Sequence, residues 1–243
     1  MMPDFVQRLY EATPRTFVTT TVVAVNVAVW IVTVLLGVDW MSPSPQALLL
    51  LGGNFLPATL EQPWRLMSST VLHAGVIHLG FNMWAMLNMG RIAERFYGNG
   101  QFAIIYLFAG LFGSLASMFS SARIAVSVGA SGAIFGVAGA LLAALFTKPH
   151  KLPKGLVASM RPSLVIFVGY SLFMGFTATM IDNAAHIGGL VAGFALATVM
   201  SERFDWEEYR LHGARRALFA VSAAVLLAGL AWQMVPRPAG MVH

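Results

Sequence analysis

Apolar residues along this chain run in long blocks, and most of the charge is confined to the short stretches between them. A helix needs ~20 consecutive apolar residues to cross ~30 Å of hydrocarbon. Seven stretches approach that length: Phe17 to Val38, Val71 to Met89, Phe102 to Ser120, Ser131 to Phe146, Leu164 to Ile181, Ala184 to Met200 and Ala217 to Val235. The pattern predicts an all-α, polytopic membrane helical bundle: a leading segment 1–16, a six-helix core 17–200, and a tail 201–243 holding a linker, a seventh span and a short outer end. The fourth run has only 16 residues, and at 1.5 Å of rise per residue it reaches ~24 Å, short of the hydrocarbon thickness. Its start is therefore expected below the outer surface. The loop feeding it, Ala122 to Ala130, must then carry non-helical backbone into the membrane zone, which only a protein lining or a water-filled cavity tolerates. A hydrated pocket opening outward is expected there. The longest outer loop, Asp39 to Met67, holds Pro43, Pro45, Pro57 and Pro63 with Trp40 and Trp64. Its apolar stretch Ala47 to Leu51 is too short to span and is expected to lie in the interface.

Composition agrees with this pattern. A chain of 243 residues that is 58% hydrophobic and 10% charged cannot place its apolar surface in one water-soluble core. The net charge of +5 sorts by loop. Arg8 and Arg15, Arg91 and Arg95, Lys148, Lys151, Lys154 and Arg161, and Arg203, Arg210, Arg215 and Arg216 fall on one side of a seven-span path, leaving Arg65, Arg123 and Arg237 on the other. The positive-inside rule then puts the N-terminus in the cytoplasm and the C-terminus outside. The same bias accounts for the basic residues without a nucleic-acid partner. The first span is followed by Val38, Asp39 and Trp40, not by a small-x-small cleavage site, so it is expected to be retained as an anchor. A bacterial inner membrane is the expected location, with membrane lipid as surroundings. The charged 203–216 stretch is expected to be a solvated helix beside the membrane.

All ten carboxylates lie outside the expected spans, and cysteine is absent. That removes intramembrane aspartyl chemistry, which needs two buried carboxylates, and a His-Glu-x-x-His zinc helix. No cofactor is expected. The polar groups that do fall in or beside spans are His73, His78 and Asn82 on the second, Ser131 on the fourth and His186 on the sixth. These three spans run in the same direction, so each group falls in the outer half of its helix. Convergence of costly groups at one depth is how an intramembrane site looks. On a helix advancing 100° per residue, His78 and Asn82 share a face while His73 lies about 140° from His78. Two such histidines are badly placed to hold one metal, so none is expected.

Ser131 stands in Gly129-Ala130-Ser131-Gly132 at a helix start, where free N–H groups and the positive dipole end favour a developing oxyanion. An ordinary N-cap serine would sit in the same place. His186 shares a face with Gly189 and Gly193, and the fourth span carries a matching row of Gly132, Gly136 and Ala140. Small residues let the two helices approach until Ser131 and His186 come within hydrogen-bond reach. A neutral imidazole accepting the hydroxyl proton is the minimum activation a serine nucleophile requires, although His186 could instead join two helices as a structural polar residue.

Together these residues resemble the rhomboid intramembrane serine proteases. Trp64-Arg65, His73-x4-His78-x3-Asn82, Glu94-Arg95, Gly129-x-Ser131-Gly132 and Ala185-His186-x-x-Gly189-x3-Gly193 occur in the family's order over about Pro63 to Met200. The resemblance implies a rhomboid-like six-helix core with Ser131 and His186 as a catalytic dyad. His78, Asn82 and the Ser131 N–H would form the oxyanion hole, Gly129 would shape the turn, and His73 with Trp64-Arg65 would hold the outer loop. It implies single-span transmembrane protein substrates, cut near the outer membrane face. Four residues after the nucleophile the family commonly carries Tyr; here Phe135 stands there, which keeps a ring to stack on His186 and loses a hydroxyl. Asp182, one turn before His186, reads as a loop carboxylate. The competing classes are a transporter with midplane polar residues, which the outward clustering disfavours, and a non-catalytic relative that binds membrane proteins, which would ordinarily lack Ser131 or His186.

Overall fold

The computed structural model describes residues 2–120, 125–177 and 181–237. The first part of the loop expected to enter the membrane, 122–124, and the last residues of the outer tail lie outside the described residues. The chain begins with α1 (Met2–Ala12) and α2 (Phe17–Leu35), followed by three short helices, α3 (Pro45–Leu50), α4 (Leu56–Glu61) and α5 (Arg65–Ser68). Then α6 (Val76–Ala85) passes through a π-helical turn, Met86–Gly90, into α7 (Arg91–Met118), and α8 (Ser131–Thr147), α9 (Lys154–Thr177), α10 (Asn183–Val199) and α11 (Trp206–Met234) complete the fold. Among the described residues no strand forms, and β pairing is limited to the bridge between Asn54 and Ser127. Helices prevail because a segment in hydrocarbon must satisfy its own backbone N–H and C=O groups. The outward faces carry Leu35, Phe81, Phe176 and Leu226, each more than two-thirds exposed, as lipid-facing side chains are.

The stretch Val76–Met118 is 43 residues long and makes two passes. Gly98, at φ +72°, breaks it. The second pass returns to the end where α6 begins: a Cβ at Gly110 would meet Thr70 and Ala133 at 3.4 Å, and Gly113 lies against Gly132 and Ala185. With that break, the described residues contain seven apolar segments, the number expected. Three starts differ from expectation. The fifth span begins at Lys154, not Leu164, because its first turns are polar and lie outside the apolar run. The second helix begins at Val76, not Val71, because Gly75 at φ +99° presses on the Met41 carbonyl, where a Cβ would sit 1.9 Å away. The last helix begins at Trp206, so the solvated helix expected around 203–216 is its first turns.

The fourth span, α8, is the axis of the bundle. From Gly132 to Leu145 every residue except Leu142 is buried. It is short because it is enclosed by protein, packed between α7 and α10. By contrast α9 buries only Leu164 and Val168, and α11 buries only Gly213, Ala220 and Ala224. An apolar cavity of about 770 Å³ separates α11 from α7 and α10.

Polar contacts pin the other end of the bundle. The buried Glu94 carboxylate accepts the N–H groups of Val18 and Thr19, each at 2.8 Å, and the Thr19 hydroxyl at 2.6 Å. It thereby caps the start of α2, where a negative charge meets the positive end of the helix dipole. Lys148 pairs with the buried Glu202 at 2.6 Å, and Lys151 pairs with Asp205. Burial holds the Glu202 carboxyl above the usual carboxylate range, against the opposing pull of Lys148.

Candidate active site

Three helices deliver their N-terminal ends to one place. Ser131 opens α8, whose first intrahelical bond runs from the Ile134 N–H to the Ala130 carbonyl at 3.0 Å. The N–H groups of the first turn therefore have no helical acceptor and face the same end of the bundle. His186 lies in the first turn of α10. Its Nε2 is 2.9 Å from the Ser131 hydroxyl oxygen. This approach is possible because side chains are missing where the helices cross: a Cβ at Gly189 would lie 1.9 Å from the Gly132 carbonyl oxygen, and one at Gly193 would lie 2.0 Å from that of Gly136.

The imidazole of His186 is clamped flat. Phe135 stacks on it with ring centroids 4.1 Å apart and planes 8° from parallel. Its buried Nδ1 has no hydrogen-bond partner among the described residues. Asp182 does not supply one, because its carboxylate is occupied elsewhere: it caps α10 by accepting the Ala185 N–H at 3.0 Å and accepts the Ser117 hydroxyl. Asp182 is thus a helix cap, more specific in role than a loop carboxylate.

His78 stands across the turn that leads into Ser131. Gly129 has φ +124°, and a Cβ there would sit 2.6 Å from the His78 ring, so only glycine fits both the backbone and the space. The Gly129 N–H donates to the Ser69 carbonyl at 2.9 Å, fixing the turn. His78 Nδ1 accepts the Ala74 N–H at 3.3 Å, which leaves Nε2 as the nitrogen that carries a proton in the neutral ring. Asn82, one turn on, donates one amide hydrogen to the His78 carbonyl at 2.9 Å and keeps the other. His73 precedes the helix, so the 140° offset expected between the two histidines does not arise. Their rings meet edge to face at 5.2 Å. Among the described residues no three His, Cys, Asp or Glu side chains gather as metal ligands.

Arg65 ties the outer loop together. It donates to the carbonyls of Leu49 at 2.6 Å and Gly53 at 3.2 Å and to the Gln62 side chain at 3.0 Å, while Trp64 packs on Gly52. Asn54 was not singled out by sequence reasoning. Buried, it donates to the Ser114 carbonyl at 2.9 Å, accepts the Thr59 hydroxyl at 2.8 Å and pairs with Ser127 in the loop before the serine. A lone asparagine in a loop carries no periodic signal by which to find it. The cavities at α11 and at the start of α9 are not lined by Ser131 or His186.

Fold and site together define a class: a polytopic helical membrane protein in which glycine-lined helices bring a serine hydroxyl to an imidazole. The family model for the Rhomboid domain matches residues 60–203, and the chain belongs to the rhomboid family. It is 42% identical over 137 residues to Rhomboid protease GluP of Bacillus subtilis (strain 168), covering 56% of this chain and 26% of that protein. It is 36% identical over 184 residues to RHOMBOID-like protein 6, mitochondrial, of Arabidopsis thaliana, covering 70% of this chain and 59% of the relative. Rhomboid-like protease 2 of Toxoplasma gondii is 31% identical over 225 residues, covering 88% of this chain and 76% of the relative. The chain thus spans about a quarter and three-fifths of the first two relatives' own length.

Proposed function

We propose that this protein is an intramembrane serine endopeptidase that uses Ser131 and His186 as a dyad to cleave single-span transmembrane proteins near the outer membrane face. The observation that carries this is the 2.9 Å contact between the Ser131 hydroxyl and His186 Nε2 at the start of α8. With Nε2 accepting, the ring proton sits on Nδ1. Ser131 Oγ attacks the scissile carbonyl carbon as its proton passes to Nε2. The oxyanion meets the Ser131 N–H, the Nε2–H of His78 and the free amide hydrogen of Asn82. Collapse breaks the C–N bond, and the imidazolium returns its proton to the leaving amine. Water then attacks the acyl ester with His186 again as base. The face of Phe135 is placed to favour the imidazolium. A substrate helix must unwind locally before its carbonyl is accessible, because helical carbonyls are held in i to i+4 bonds. The basic loops support a cytoplasmic N-terminus and an outer C-terminus in a bacterial inner membrane, with 17–200 as the catalytic core.

The test is co-expression with a tagged single-span protein that has a helix-breaking segment near its outer end. An N-terminal fragment is expected from wild type and not from Ser131→Ala or His186→Ala. A fluorophosphonate probe should label wild type and not Ser131→Ala. Cleavage persisting in both variants would end the dyad assignment.

A further inference from the structure

The polar site lies at one end of the bundle, and the basic residues crowd the other. Residues 148–161 carry Lys148, Lys151, Lys154 and Arg161 and no carboxylate. Lys148 is neutralised by Glu202 and Lys151 by Asp205. Lys154 and Arg161 have no carboxylate partner among the described residues. Both line one groove of about 520 Å³, together with Pro149, Val157, Ala158 and Pro162.

The groove's chemistry narrows what fits it. Lys154 and Arg161 are seven residues apart on α9 and so project from one face. The Arg161 guanidinium is held in place by donation to the Leu145 carbonyl at 2.5 Å and by lying 4.5 Å over the Phe146 ring. Its buried Nε has no hydrogen-bond partner among the described residues. Pro162 stands inside α9 and has no N–H, so the Ala158 carbonyl loses its usual i+4 donor and presents an acceptor beside the two cations. The helix turns apolar just beyond: Val165 continues the same face and is 49% exposed. A ligand here needs a negative charge, a hydroxyl donor and an apolar portion that runs along α9 into the bilayer.

We propose that this groove binds the headgroup of an anionic glycerophospholipid, its phosphate between Lys154 and Arg161, a headgroup hydroxyl on the Ala158 carbonyl and an acyl chain against Val165. Basic pockets at the border of a helical bundle are suited to such headgroups. Arg161 also holds the C-terminal turn of α8 through Leu145, so the bound lipid would brace the helix that begins at Ser131.

The test is native mass spectrometry of the full chain released from detergent with added phosphatidylglycerol or phosphatidylcholine. Wild type should retain phosphatidylglycerol in preference. The double variant Lys154→Gln, Arg161→Gln should lose retention roughly thirtyfold, from about 1 kcal/mol for each cation near the headgroup at tenfold per 1.4 kcal/mol. Arg210→Gln, which removes an exposed cation that does not line the groove, should retain as wild type does. Lys154→Gln alone disturbs no side-chain hydrogen bond or ion pair among the described residues and should still weaken retention about fivefold, which keeps the test valid if the double variant fails to fold. Equal retention by wild type and Lys154→Gln would overturn the proposal. So would displacement of the lipid by equimolar inorganic phosphate, which would make the groove a site for free anions.

Discussion

Consider the substitution Gly189→Ala, which adds one methyl group at the crossing of α8 and α10. The new Cβ would lie 1.9 Å from the Gly132 carbonyl oxygen and 2.7 Å from its carbon. Both opposing atoms are backbone and cannot swing aside as a side chain would. To regain ordinary contact at 3.4 Å, the helices must part by about 1.5 Å. Gly132 adjoins Ser131, and His186 is one turn before Gly189, so the separation falls on the pair. A contact of 2.9 Å stretched by most of that distance is no longer a hydrogen bond. Misplacement by 1 Å costs about 10²-fold in rate, whereas overpacking of this kind costs about 1–3 kcal/mol of stability. The expected result in proteoliposomes with a transmembrane substrate is a fall in kcat of about 10²-fold or more. The melting temperature should drop by about 2–4 °C for each kcal/mol lost. Gly80→Ala is the control, because its Cβ meets nothing within 4 Å, and its activity should match wild type. Turnover by Gly189→Ala within twofold of wild type, from a variant that remains folded, would refute the argument that helix proximity sets the dyad.

Three other substitutions probe separate parts of the structure. Phe135→Ala removes the ring stacked on His186 and should lower kcat roughly two- to tenfold, in line with about 0.5–1.5 kcal/mol for such a pair, while Phe135→Tyr should retain activity; steady-state kinetics of the two variants decide it. Glu94→Gln leaves at least one of the three donors at the start of α2 without its acceptor and should cost about 1.5–3 kcal/mol, read as a lowered melting temperature with little change in KM. Lys148→Ala strands the buried Glu202 carboxylate, with an expected loss of about 3–5 kcal/mol near neutral pH. Because burial already raises that carboxyl's pKa, the charged form is the unfavourable one, and stability falls as pH rises through the folded value. The Lys148→Ala variant should therefore regain stability as pH is lowered toward about 5, and a melting temperature unaffected by pH would contradict this.

The spans were readable because hydrocarbon demands long apolar runs, and that signal is strong enough to survive errors of several residues at the ends. Those errors have a local cause. Gly75 adopts a positive φ, and hydropathy does not register a backbone dihedral, so one helix was started too early, whereas the break at Gly98 falls in the gap expected between the second and third spans. The same blindness misplaced His73, because a helical wheel was applied to a residue that precedes its helix. Ser131 and His186 were legible for the opposite reason: polar groups are rare and costly in apolar runs, and their position relative to small residues implied contact. Asp182 was harder, since a carboxylate four residues before a histidine looks the same in sequence whether it orients the imidazole or caps the helix. Only the hydrogen bonds to Ala185 and Ser117 distinguish the two. What brings the serine and the histidine together is then a set of absent atoms, at Gly129, Gly132, Gly136, Gly189 and Gly193. Each glycine appears in a sequence as a weak, ambiguous letter, yet each removes a methyl group from a helix crossing or a turn where backbone or ring atoms lie within about 3 Å of the missing Cβ. The site's geometry is for that reason more sensitive to added methyl groups at these positions than to the polarity of most of the surrounding apolar wall.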